Sequence, residues 1–184
     1  MLEPTSQLYA KLETGDDSDL QSAVLEIGRH IGLGFMPHAE YELGLRMSPQ
    51  AAGEIQFSAG RQSLIRIPLF YVGKPHELGA ILAHEVTHQL LALLEVTVSS
   101  EVEYERLTDL ASFAVGLGKL VLNGTVHETA PGTGETRMLG YLPPWAKAYA
   151  YRSVNKLYAI PDHEAVSNLT HIARSILAVT PPDQ

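Results

Sequence analysis

The segment from Pro75 to about Glu95 constrains the fold more than any other. It has the length of a helix, opens on a proline suited to a first helical turn, and carries Ala80, Leu82, Ala83, Leu90, Leu91 and Leu94. These make it apolar around much of its circumference, so it belongs deep in a core with other elements packed about it. Yet the same segment holds His84, Glu85 and His88 in the spacing H-E-x-x-H. On a helix, residues four apart share one face, a single turn from each other. Both imidazoles can therefore reach one metal ion while Glu85 projects beside them. Zinc suits such a set, being held by His nitrogens and carboxylate oxygens with a position left open in catalytic sites. Two imidazoles and a carboxylate buried without partners would be costly, which favours metal ligation over mere tolerance of polar residues.

A third ligand is within geometric reach. The helix continues about seven residues past His88, or roughly 10 Å at the helical rise. Ser100-Glu101-Val102-Glu103 then fits the S-x-x-E capping box and opens a second helix, expected to run to about Leu122 and stop at Asn123-Gly124. If a tight turn sends this helix back antiparallel, Glu105 returns by about 6 Å to the level of His88, and Asp109 lies one turn further, level with His84. Glu105 is thus the candidate third ligand. Asp109 is the candidate acceptor for the outer nitrogen of a ligand His, a relay that fixes ring tautomer and orientation. The competing view of Glu105 is one more acid in a first turn, beside Glu101 and Glu103.

The chain has no cysteine, which excludes disulfides, thiolate zinc sites and thiol nucleophiles and leaves His and carboxylates as the strong ligands. With 184 residues, 45% hydrophobic and 18% charged, it reads as one domain spanning 1–184 with a full core. The net charge of −8 and the lack of any adjacent Lys/Arg pair argue against nucleic-acid binding. Met1 to Gly15 lacks a signal-peptide pattern. The best apolar run, Leu110 to Leu122, contains Lys119, so no span and no membrane role is expected. A cytoplasmic location is the default expectation, and oligomeric state is not legible.

The remaining elements read as a mixed α+β layout. Asp17-Ser18 caps a helix whose apolar stripe is Leu20, Val24, Ile27 and Ile31. Tyr41–Met47, Glu54–Ser58 and Ser63–Leu69 read as strands, with Ala59-Gly60-Arg61 as a hairpin connection and Pro68 marking an edge or an end. Gly124 to Arg137, rich in Gly, Thr and Pro, reads as a long loop suited to a lid or specificity element. Pro143-Pro144 and Pro161 open two further helices, the second about Asp162 to Leu177 with Leu169, Ile172 and Ile176 buried.

His84-Glu85-x-x-His88 followed by Glu105-x-x-x-Asp109 resembles the active-site motif of the gluzincin metallopeptidases, the thermolysin-like group. The likeness covers roughly Gly79 to Gly118. Its compactness is closer to small intracellular relatives, including proteases that cleave phage-type repressors. The resemblance implies a zincin-like α+β fold, with a small antiparallel or mixed sheet packed on the active-site helix and further helices. It implies Zn2+ on His84, His88 and Glu105, Asp109 behind them, and hydrolysis of a peptide or protein substrate with Glu85 as general base. It also implies an extended substrate lying along an edge strand, for which Ser63–Leu69 is the candidate. An oxyanion donor would come from Tyr141, His127, Arg137 or Tyr149, which follow the second helix. The alternative is a non-catalytic zincin-like metal-binding or protein-interaction module. A non-peptide amide as substrate also fits.

Overall fold

The computed structural model describes residues 1–42, 53–57, 63–128 and 136–178. Its centre is the helix expected from the sequence, here α3 (Pro75–Leu93), with α1 (Ser6–Glu13) and α2 (Asp17–His30) preceding it. Pro75 sits in its first turn, and every residue from Leu78 through Ala83 is buried. The helix ends where Glu95 takes a left-handed conformation (φ 55°) and Val96 N–H reaches back to the Leu91 carbonyl at 3.0 Å. This is the hydrogen-bond pattern that closes many helices.

α1 is an element the sequence reading leaves unassigned. Thr5 caps it by accepting from Leu8 N–H, and Leu8 and Leu12 turn inward. α2 carries the expected stripe of Leu20, Val24 and Ile27, but its cap is Asp16, which accepts from Ser18 N–H at 2.7 Å.

Three strands form a mixed sheet: β1 (His38–Glu42), β2 (Glu54–Phe57) and β3 (Ser63–Pro68). The first expected strand is thus shifted toward the N-terminus, and its residues 43–47 lie outside the described part, as does the Ala59-Gly60-Arg61 connection. The order is β1-β3-β2, with β1 parallel and β2 antiparallel to β3. Ser63–Leu69 is therefore not an edge. β3 is the central strand, paired on both sides, and Pro68 ends it. β2 lies at the end of the sheet among the described residues and contacts α3 directly. Ser63 donates a buried hydrogen bond to Gln89 Oε1 at 2.6 Å, tying β3 to α3.

α4 (Glu101–Ala114) starts with half of the expected capping box: Ser100 Oγ accepts from Glu103 N–H at 3.3 Å, while the Glu103 carboxylate accepts from the Ser99 hydroxyl. It does not run to Leu122. Gly116 adopts φ +85°, Leu117 N–H bonds to the Ser112 carbonyl at 2.9 Å, and a separate α5 spans Gly118–Asn123. Only glycine enters that conformation without strain, so Gly116 is the physical cause of the break.

The stretch expected as a loop contains a short hairpin. β4 (Val126–Glu128) and β5 (Thr136–Met138) pair antiparallel, His127 opposite Arg137. α6 (Pro144–Leu157) begins at its proline as expected. The last expected helix is two, α7 (Asp162–Ala165) and α8 (His171–Ala178), separated by Asn168 at φ 56°. Thr170, whose N–H bonds Asn123 Oδ1, caps α8. Leu169 and Ile176 are buried, but Ile172 is exposed and Ala173 takes its place inward. Among the described residues no helix is long and apolar enough to cross a membrane.

Candidate metal centre

α3 and α4 lie side by side and present matching polar faces to each other. His84, Thr87 and His88 share one face of α3. Glu105, Thr108, Asp109 and Ser112, spaced i, i+3, i+4 and i+7, share one face of α4. Such a face is normally apolar. Here each polar group finds a partner, as burial demands. Away from the histidines, Ser112 donates to Thr87 Oγ1 at 3.0 Å and Thr87 donates to the Ala83 carbonyl at 2.7 Å. This hydroxyl pair fixes the sliding position of α4 on α3, and so the height at which its carboxylates arrive.

Nearer the start of α4, against the C-terminal half of α3, three ligand-type atoms converge. Glu105 Oε2 lies 2.9 Å from His84 Nε2 and 3.2 Å from His88 Nε2, and the two nitrogens are 3.0 Å apart. These are the residues that could hold a metal ion. An ion coordinated tetrahedrally at about 2.0–2.2 Å from each ligand would set them about 3.3–3.6 Å apart, so the triangle is tight for a tetrahedral site.

The outer nitrogens settle what the inner ones offer. His84 Nδ1 lies 2.9 Å from Asp109 Oδ1, and a carboxylate only accepts, so that nitrogen carries the hydrogen. Thr108 donates its hydroxyl to the Tyr104 carbonyl at 2.9 Å, leaving its oxygen to accept from His88 Nδ1 at 3.2 Å. Both rings are thereby turned so that Nε2 faces Glu105. Two lone pairs and a carboxylate oxygen packed this closely require a cation among them.

Without an ion that cation is a proton. Burial alone would push the His84 pKa down, but its hydrogen bonds to Asp109 and Glu105 outweigh burial and hold it up at about 10. Glu105, which burial would raise, is pulled down to about 2 by hydrogen bonds from His84 and His88. A metal must therefore displace the proton on His84 Nε2, while Glu105 is already ionised. Below pH 10 each unit of acidification should weaken apparent metal affinity about tenfold. Competition titrations with a chromophoric chelator at pH 6, 7 and 8 check this. A flat affinity would show that His84 releases no proton on binding.

Asp109 does more than orient His84. Its second oxygen accepts from Tyr141 N–H at 2.6 Å and Leu142 N–H at 2.8 Å. One carboxylate thus links the metal group to the turn that carries Tyr141. Gly140 makes the approach feasible, since it adopts φ +82° and a Cβ there would stand 2.9 Å from both Asp109 oxygens and 3.0 Å from Lys147 Nζ. Lys147, almost fully buried on α6, donates to the Leu139 carbonyl and places its ammonium near Asp109. The buried carboxylate is pushed up by burial but held below its usual range by His84 and, more weakly, Lys147.

The sequence reading singles out neither Thr108 nor Lys147. Thr108 has a readable signal, because it stands three residues after Glu105 on the same helix face. Lys147 has none, because its partner arrives from another helix. Replacing Thr108 with valine keeps the volume and removes the acceptor from His88 Nδ1. Metal affinity should fall about 10- to 100-fold with the fold intact. Unchanged affinity by isothermal titration would remove Thr108 from the site.

The ligand group opens into a cleft walled by β2 on one side and the start of α4 on the other, with Glu85 and Tyr141 in its lining. Glu85 is 5% exposed, and burial raises its carboxyl above the usual range. Tyr141 lies nearly parallel to His84 with ring centroids 6.2 Å apart, and burial lifts its hydroxyl to about 12, so it stays a donor at neutral pH. Two of the other expected oxyanion donors are not brought here. Tyr149 is 62% exposed on α6, and Arg137 is exposed on β5 outside the cleft lining. His127 is placed by its backbone on β4, and its side chain lies outside the described part. Comparison of the chain with protein-family models finds no match, and searches of curated proteins and of solved structures find none either.

Proposed function

We propose that the chain is a zinc-dependent hydrolase of the gluzincin type, acting on peptide bonds. The observation that carries the reading is the convergence of His84 Nε2, His88 Nε2 and Glu105 Oε2 within 3.2 Å of one another. A zinc ion bound there supplies Lewis acidity, polarising a substrate carbonyl and lowering the pKa of a water toward about 7.

The chain's own residues do the rest. Glu85 is the base: its buried carboxylate has a raised proton affinity, which suits it to take a proton from water at neutral pH. As the water oxygen bonds to the carbonyl carbon and the C–N bond then breaks, Glu85 returns that proton to the departing amine nitrogen. Tyr141 stays protonated beside His84 and is the donor for oxygen charge developing on the carbonyl. β2, which lies at the end of the sheet among the described residues and in the cleft wall, is the strand along which an extended substrate would pair. It takes the place that the sequence reading assigns to Ser63–Leu69.

A purely structural metal site has no use for an unligated carboxylate beside two ligands, which favours catalysis over a binding module. The test is incubation of the zinc-loaded protein with a peptide mixture, reading new N-termini by mass spectrometry. Cleavage should stop with a chelator and be absent in Glu85→Gln. Zinc-loaded protein that cleaves nothing would leave the metal-binding module as the reading.

A further inference from the structure

The cleft carries more negative charge than metal chemistry uses. Four carboxylates line it. Glu105 belongs to the ligand group, and Glu85 is the buried acid–base. A divalent ion would offset those two, which leaves Glu54 on β2, in register with Arg66 of β3, and Glu101 in the first turn of α4, one on each wall and neither within ion-pair distance of a cation among the described residues. Among the described residues no Lys or Arg lines the cleft, and neither glutamate takes part in an ion pair. Their fields reach the working groups, Glu54 acting on Glu85 and Glu101 on Tyr141.

The rest of the lining also favours a cation. Phe57, 52% exposed, Tyr104 and Tyr141 also line the cleft with aromatic rings. Ring faces attract ammonium and guanidinium groups through the quadrupole of the π-system, and carboxylates take the N–H donors such groups carry. Glu85 points to a ligand in its own right, being 95% buried with no hydrogen-bond donor reaching it from the described residues.

Building on the peptidase reading, we propose that this cleft selects peptides bearing an arginine or lysine close to the scissile bond, its charged head held between Glu54 and Glu101 against the aromatic rings. The metal group fixes where the carbonyl sits. The rim fixes which side chain can lie beside it.

Binding is tested on the zinc-loaded full chain carrying Glu85→Gln, which keeps the peptide whole. Fluorophore-labelled, blocked hexapeptides identical except for Arg, Leu or Glu at the centre are compared by anisotropy. The Arg peptide should bind roughly tenfold more tightly than the Leu peptide, and the Glu peptide most weakly. The preference should shrink at 0.5 M salt on the order expected for partly screened charges. It should fall to within about twofold when Glu54→Gln and Glu101→Gln are added. Both positions are solvent-exposed, so folding of that variant is checked by circular dichroism and by unchanged zinc content. Equal binding of Arg and Leu peptides, no measurable binding of any, or a preference that survives the double substitution overturns the proposal. A second arm uses the unmutated protein on a peptide library. Cleavage without enrichment of basic residues overturns basic selectivity and leaves the peptidase reading standing. Arg-selective binding without cleavage sinks the peptidase reading and leaves the selectivity.

Discussion

Replacing His88 with alanine should lower bound zinc from about one ion per purified chain to below a tenth of that. His88 supplies one of three inner ligand atoms, and the other two cannot close a site alone. The loss should be specific. Glu101→Ala, on the same helix as Glu105 but outside the triangle, should keep full zinc, whereas Glu105→Ala should behave like His88→Ala. Elemental analysis after exhaustive dialysis reads all three. Equal zinc in every variant would place the metal elsewhere or nowhere.

Glu85→Gln separates binding from chemistry. Its carboxylate is not among the converging ligand atoms, so zinc content should stay near one per chain. Turnover should drop by about 10²- to 10⁴-fold, the range for removing a positioned general base. The near-isosteric amide also relieves the cost of a buried carboxylate that no described donor reaches, so thermal stability should not fall. Activity retained within about threefold would take Glu85 out of the mechanism. Zinc lost together with activity would make it a ligand instead.

Much of this centre is legible in the sequence. The apolar girth of Pro75–Leu93 places α3 in the core, and the Ser100 capping box locates the start of α4. With those two points, the rise per residue is enough to bring Asp109 to the level of His84. These are local properties, set within one or two turns of chain. The features that escape a reading of the sequence depend on contacts distant along the chain or on one residue's backbone. Alternating texture marks strands but not their order, so β3 reads as an edge although β1 and β2 flank it. Gly116 sits inside an apolar run that reads as continuous helix, and its left-handed conformation shows only in the fold. Lys147 gives no local sign that its ammonium is buried near Asp109, 38 positions earlier in the chain. The polar stripe of α4 lies between these cases. Thr108 and Ser112 fall at ligand-face spacing, and that pattern is the trace in the sequence of a second relay.

The central claim is a metal ion held by His84, His88 and Glu105. A crystal structure of the zinc-loaded protein, with anomalous difference maps recorded on both sides of the zinc edge, tests it most directly. One peak is expected, about 2.0–2.2 Å from His84 Nε2, His88 Nε2 and a Glu105 oxygen, with an open position facing Glu85 and Tyr141. A peak at any other residues, or no peak in zinc-loaded crystals, would contradict the assignment.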